Sequence, residues 1–316
     1  MFAARSRVSR NRRRPRGEGR LIQLVYYGYV AASRVALALP ERFAYALVHA
    51  LGGIAARISK KKDIVARNLS RITGEDPSSE RVAALVVEAH KSYARYWLET
   101  FRYVREGKEF FLERFVVPRA HVIDEVRARG KGAIVIVSHL GNWDAAGAWA
   151  GASGRSVVTV AEVLKPRRLF DFFVQHRAKL GITIHPAERG VSAKLIEAVE
   201  DGRVVAILGD RDLKGTGPKV KFFGREATMP AGPASIAIRT GVPLLFAGIY
   251  SVRLSGGRWG WHADISDPIE LPDGAGRAAL TEMTQKIADH LEAAVAKHPA
   301  EWHVFQPFWT EDRPDL

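Results

Sequence analysis

Four short runs of aliphatic and β-branched residues between positions 133 and 208 restrict this chain more than any other feature. They read AIVIV (133–137), SVVTVAEVL (156–164), ITIHP (182–186) and VVAIL (204–208). Each is short and rich in β-branched residues, as strands are. Helical or polar stretches separate them, and strands alternating with helices imply a largely parallel sheet with crossover connections. The fold class is therefore α/β, a central, largely parallel mixed sheet flanked by helices. Three further runs, KVKFF (219–223), PLLFAGIY (243–250) and WGWHADI (259–265), are expected to extend or edge that sheet. Helices are expected over 231–240 and 277–297. The N-terminal third carries apolar residues at three-to-four spacing over 42–58, 62–72 and 79–104, with Pro77, Ser78 and Ser79 as stop and cap before the third helix. With no internal repeat and no long linker, residues 21–316 read as a single α/β domain with an N-terminal, membrane-facing helical cap.

Charge decides what the chain meets. Lys and Arg number 48 against 34 acids, a net charge of +14. Residues 1–20 hold Arg5, Arg7, Arg10, Arg12, Arg13, Arg14, Arg16 and Arg20 against Glu18 alone, which is half of that excess. Such a block reads as a disordered basic arm that meets a polyanion, nucleic acid or an anionic membrane. The next segment, LIQLVYYGYVAASRVALAL (21–39), favours the membrane. Gln23, Ser33 and Arg34 interrupt it, so it suits an interfacial anchor better than a spanning helix. Its rivals are a signal peptide, which Arg34 argues against, and a helix buried in the protein's own core. The expected location is peripheral, on the cytoplasmic face of the cell membrane, with an anionic lipid surface and no nucleic acid as partner. There are no cysteines, which excludes disulfides, thiolate metal sites and a cysteine nucleophile. The histidines show no metal-ligand spacing.

The chemistry concentrates in Ser-His-Leu-Gly-Asn-Trp-Asp at 138–144. A hydrophobic strand ends at Val137, His139 follows, and a helix is expected to begin near Trp143. The carboxyl ends of strands are where α/β sheets bind ligands. An imidazole there suits the removal of a proton from a hydroxyl, since the neutral ring is well populated near pH 7. Asp144 is expected to hold either the neighbouring backbone or the ring, and first-turn helix amides suit a developing oxyanion. Ser138 adjoins the base but points the other way along the strand, so no acyl-enzyme is expected.

These pieces belong to a longer series. VARNLSRI (65–72), YARYWLETFR (93–102), SHLGNWD (138–144), LKPRRLFDFF (164–173), LGDRDL (208–213), KFFGREATMPAGPASIAIRTGVPLLF (221–246) and EWHVFQPFW (301–309) occur in that order. Together they resemble the bacterial lysophospholipid acyltransferase superfamily, in the branch of lipid A secondary acyltransferases and phosphatidylinositol mannoside acyltransferases. Asp-Arg-Asp followed by Leu-Lys-Gly-Thr-Gly looks more like the mannoside side of that branch. The resemblance implies His139 as general base, Asp144 as its motif partner, and Asp210, where the mannoside branch commonly has Glu, as a second acid near the imidazole. It places Glu162 and Arg177 along the same groove, where a surface ion pair is the plainer alternative. The implied donor is acyl-CoA, a co-substrate rather than a bound cofactor, carrying a fatty acyl group such as palmitoyl. Its phosphates would be met by Lys214, Lys219, Lys221 or Arg239, and by the loop around Thr216. Helix 231–240 with Trp143, Phe222 and Phe223 would wall the acyl groove. The implied acceptor is a glycophospholipid, a phosphatidylinositol mannoside. Lipid A is the alternative acceptor, and a non-catalytic basic protein that binds membranes or nucleic acid is the rival of another class. The aromatic EWHVFQPFW reads as packing that closes the sheet.

Overall fold

The computed structural model describes residues 20–313, and the basic arm, apart from Arg20, lies outside them. Four helices come first, α1 (Arg20–Ala38), α2 (Glu41–Ile58), α3 (Lys62–Thr73) and α4 (Glu80–Arg102). Ser79 caps α4 as its position predicts, its hydroxyl accepting from the Val82 amide at 3.2 Å. After α5 (Lys108–Arg114) and the two-residue strand β1 (Phe115–Val116), α6 (His121–Arg127) leads into β2 (Ala133–Val137). The alternating part then runs α7 (Trp143–Ala152), β3 (Val157–Ala161), α8 (Arg167–Ala178), β4 (Ile182–Pro186), α9 (Val191–Glu200) and β5 (Val204–Leu208). A hairpin of β6 (Lys219–Phe222) and β7 (Arg225–Thr228) follows, then α10 (Gly232–Thr240), β8 (Leu244–Arg253), β9 (Trp259–Ile265) and α11 (Gly276–Lys297).

Seven strands form one sheet in the order β1-β9-β8-β2-β5-β3-β4. Every pairing is parallel except β8 with β9. The central strand β2 is buried at all five positions, which is why its sequence lacks alternation. Helices α9, α10 and α11 pack on one side of the sheet, α5 and α7 on the other, and α1–α4 form the helical cap.

Two expected strands fall differently. KVKFF does not extend the sheet; it pairs with β7 as a separate antiparallel hairpin. Its own alternation explains this, since Val220 and Phe222 are buried while Lys219 and Lys221 face out, a pattern for a ribbon covered on one side. Phe223 and Gly224, at φ 48° and 71°, make the two-residue turn. The ribbon is clipped to α11, where Gln285 accepts from the Lys221 amide and donates to the Lys221 carbonyl. The run at 156–164 is strand only to Ala161, where its neighbour β4 also ends at Pro186. Among the described residues no helix is long and apolar enough to cross a membrane.

The turn that carries the histidine motif depends on Gly141. Its φ is +62°, and a Cβ there would lie 2.4 Å from the Ile249 carbonyl oxygen on β8. Left-handed backbone and a backbone clash act together, so Gly141→Ala should cost about 2–4 kcal/mol. Thermal melting should show a drop of several degrees, and an unchanged melting temperature would contradict this account of the turn.

Candidate active site

The parallel register of β2 and β5 brings the two main side chains together. Val137 pairs with Leu208, and Gly209 N–H donates to the Val137 carbonyl at 2.9 Å. Two residues beyond each strand end stand His139 and Asp210, side by side on one face. His139 Nδ1 lies 2.7 Å from Asp210 Oδ1, and the His139 amide donates to Oδ2 at 3.0 Å. Trp302 Nε1–H donates to the same Oδ2 at 3.0 Å. Asp210 is fully buried. Burial alone would raise its carboxyl, but the His139 ring and amide, with Trp302, more than offset that and hold it below the usual carboxylate range.

A carboxylate only accepts, so Nδ1 carries the proton. Arg211 Nη1 lies 3.4 Å from His139 Nε2, and a guanidinium only donates, so Nε2 offers a lone pair. Both neighbours thus select the tautomer in which Nε2 is the nitrogen free to accept a proton. Arg211 is itself held by Gln306, which accepts from Nη2 at 2.7 Å. Neither Arg211 nor Gln306 stands out in the sequence, although both lie in the pieces that carry the resemblance.

Asp144 is not a partner of the imidazole. At the first turn of α7, its carboxylate accepts from Arg177 Nε at 2.5 Å and Nη2 at 3.0 Å, and from Tyr96 OH at 3.0 Å. The α7 turn carries Asp144 away toward α8 and α4, although it stands only five residues from His139. Burial would raise this carboxyl too, but Arg177 and Tyr96 outweigh it and hold it low. Of the two residues expected along the groove, Arg177 lines the cavity under α7 while committed to Asp144, and Glu162 is exposed just after β3; the alternative, a surface pair between them, does not form.

A third buried acid, unremarked in the sequence, stands behind the motif. Glu99 on α4 accepts from Asn142 Nδ2 at 2.7 Å, Trp261 Nε1 at 3.0 Å and Tyr45 OH at 3.1 Å. Desolvation outweighs these donors and Arg95, so its carboxyl is raised. Asn142 also caps α7, accepting from the Ala145 amide at 3.0 Å. The segment YARYWLETFR therefore acts as scaffolding behind the motif. His303 donates its amide to the His139 carbonyl at 2.7 Å, and Trp302 bridges to Leu140. The aromatic tail thus does more than close the sheet; it completes the site.

Beside the histidine, an apolar channel runs across the sheet under α7. Val135 and Val137 line it, as do residues from β9, β8, β5, β3 and β4. Its lining comes from these six neighbouring strands and its volume is about 120 Å³, so as it stands it takes only part of a fatty chain. His139 continues the series Val135, Val137 on the same face, and its ring meets the channel-lining Trp143 edge-on at 4.9 Å. Of the residues expected to wall an acyl groove, Trp143 lines this channel. Phe222 and Phe223 belong to the hairpin, Phe222 packing on Trp302, Phe308 and Trp309, and α10 covers the opposite side of the sheet.

The expected phosphate contacts separate. Arg239 lies in the last turn of α10, next to Thr240, whose carbonyl accepts from Lys131 at the amino end of β2. That end is a strand length, roughly 16 Å, from the histidine. The antiparallel run of α10 against the sheet removes Arg239 from the site. Lys214 and Thr216 are exposed on the loop leaving Asp210. Asp212 accepts from the amides of Lys214 and Gly217 at 3.2 and 2.7 Å, so those two amides are already satisfied. Lys219 is exposed and paired with Glu226 at 3.0 Å, and Lys221 is exposed on the same hairpin.

The sequence profile of bacterial lipid A biosynthesis acyltransferases matches residues 17–311. The chain belongs to that family. It is 35% identical to a phosphatidylinositol mannoside acyltransferase of Mycolicibacterium smegmatis over 93% of this chain and 94% of that one. It is likewise 35% identical to a protein of the same name from Mycobacterium tuberculosis, over 78% and 76% of the two chains. The acyltransferase holds two buried carboxylates below the usual range, Asp210 on the imidazole and Asp144 on Arg177.

Both aspartates ionise more readily folded than unfolded. Their contribution to stability is present above the ordinary Asp range near pH 4 and lost as pH falls through the lower folded values. Asp144→Asn should flatten the acid side of the stability curve. At neutral pH it should cost about 3–5 kcal/mol, because Arg177 is left buried without its partner. Denaturant unfolding across pH measures both effects, and a curve parallel to wild type would refute the assignment.

Proposed function

We propose that this acyltransferase moves a fatty acyl group, such as palmitoyl, from acyl-CoA to a mannose hydroxyl of a phosphatidylinositol mannoside. The observation that carries the chemistry is the His139–Asp210 pair set beside the apolar channel. The names of the mycobacterial relatives favour the mannoside over lipid A as acceptor. In this mechanism His139 Nε2 takes the proton of the acceptor hydroxyl as its oxygen attacks the thioester carbonyl carbon. Asp210 keeps Nδ1–H oriented and stabilises the imidazolium that forms. The oxyanion of the tetrahedral intermediate is met by Arg211, which leaves Nε2 when the hydroxyl arrives, and by those first-turn amides of α7 that Asn142 does not already hold. Collapse breaks the carbon–sulfur bond, and the proton on Nε2 goes to the departing CoA thiolate. Lys214, Thr216 and Glu162, exposed on loops after β5 and β3, are assigned to contacts with the substrates' polar parts.

His139→Ala should lower kcat by about 10²–10⁴ while circular dichroism stays native and acyl-CoA still binds. Asp210→Asn should fall nearly as far with little change in donor KM, because an amide no longer fixes the tautomer. Transfer by folded His139→Ala within a few-fold of wild type would sink the mechanism.

The same reading places the enzyme on the cytoplasmic face of the membrane. Phe43, Leu47, Leu51, Ile54 and Ile58 form one stripe of α2 at three-to-four spacing and are 43–76% exposed. Leu24, Val25, Tyr27 and Val35 of α1 are exposed as well. A basic arm beside an apolar helix face suits an anionic bilayer surface. Leu47→Asp with Leu51→Asp should abolish sedimentation with lipid vesicles yet spare turnover of water-soluble short-chain substrates. Unchanged sedimentation would remove α2 from the contact.

A further inference from the structure

A cleft of about 720 Å³ lies between the start of α2 and the β8–β9 hairpin, lined in part by Arg42, His49, Arg253, Arg258 and Trp259. We propose that it binds the phosphodiester headgroup of an anionic phospholipid, a second lipid site apart from the catalytic histidine. Its charge is only partly offset, Arg258 lying near enough to Glu41 to help lower that carboxyl. Among the described residues, none of Arg42, Arg253 and Arg258 has a carboxylate within 4.0 Å. The one acid in the lining, Glu41, is already neutralised by Arg114, which donates to both of its oxygens at 2.7 and 3.3 Å. The amino end of α2, a helix of 18 residues, adds its own positive potential.

The floor is built rather than incidental. Trp259 is stacked by two guanidinium groups, Arg253 at 3.6 Å and Arg95 at 4.1 Å from the ring centroid. Arg253 is further fixed by donation to the Gly257 carbonyl at 2.8 Å. Arg95 is buried and anchored by Ser251 at 2.7 Å and Glu301 at 3.3 Å. His49, whose ring lies 5.9 Å from Trp259, has a buried Nε2 with no hydrogen-bond partner. An unpaired buried nitrogen is costly, and a phosphate oxygen would satisfy it once the ring donates from that atom. Burial and the cations Arg95 and Lys91 push His49 below its usual range.

Position selects a lipid over a free anion. Arg42 immediately precedes Phe43, the first residue of the exposed apolar stripe of α2, so the cleft opens where that stripe would meet headgroups. In this respect the proposal rests on the membrane reading of α2. The phosphate itself has two sources, bulk anionic phospholipid or the acceptor glycolipid. Arg253 stands three residues, roughly 10 Å of strand, beyond Tyr250, which is packed beside Gly141 of the catalytic turn.

Isothermal titration of the full chain with glycerophosphoinositol reads the site without any membrane, so it fails independently of the α2 reading. Wild type should bind it in a saturable way, and Arg253→Gln with Arg258→Gln should weaken binding roughly 10- to 30-fold. Removing equal charge at the far end of α2, Arg57→Gln with Lys61→Gln, should leave that titration unchanged. Sedimentation then separates the sources. Preference for vesicles carrying phosphatidylinositol over phosphatidylcholine alone, lost in the Arg253/Arg258 variant, assigns the site to bulk lipid. A preference seen only with the mannosylated lipid assigns it to the acceptor. Absence of glycerophosphoinositol binding, equal affinity for inorganic phosphate, or an equal loss in the Arg57/Lys61 variant would each overturn the proposal.

Discussion

The carboxylate of Asp210 is the point on which the rest of this site depends. A buried ionised carboxylate carries a desolvation penalty of several kcal/mol, which only good geometry offsets. Here three donors converge on it, the ring and amide of His139 and the indole of Trp302. Those donors come from the end of β2 and from the tail, and the acceptor from the end of β5. One charge therefore joins three separate stretches of chain and fixes the proton on the imidazole at the same time. A residue lacking the charge would weaken the register, the tail contact and the base together.

A parallel sheet makes this arrangement economical. In paired parallel strands, residues equally far beyond matched positions emerge on the same face, so His139 and Asp210 meet without any special loop. The acids near the motif then divide the labour. Asp210 serves the ring, Asp144 ties α7 to α8 and α4 through Arg177 and Tyr96, and Glu99 braces the turn through Asn142. Two of these three rigidify the backbone around the histidine without touching it. Precise placement of a base matters because small displacements of a reacting group cost large factors in rate.

Much of this was legible in the sequence for a physical reason. A central strand buried on both faces must be continuously apolar, as β2 is, and β4, β5 and β9 also coincide with their β-rich runs. The hairpin at 219–228 was misplaced because an alternating ribbon and an edge strand share one pattern. Asp144 looked like the partner of His139 because closeness in sequence suggests closeness in space, yet a helix start turns its side chain elsewhere. Arg239 looked available because the direction of α10 over the sheet is not written in its composition. Arg211 and Glu99 were passed over since an isolated Arg or Glu in an amphipathic pattern carries no local sign of burial. Their roles come from strand order, which no short window contains.

The strap formed by residues 302–309 has a consequence for the history of each molecule. During synthesis β2 and β5, with His139 and Asp210, leave the ribosome well before Trp302 does. Until then the carboxylate lacks its indole donor, and the histidine loop lacks both the Leu140 bridge and the His303 amide. The surroundings of His139 are thus completed only by the last aromatic residues, after the sheet that carries the histidine has been made.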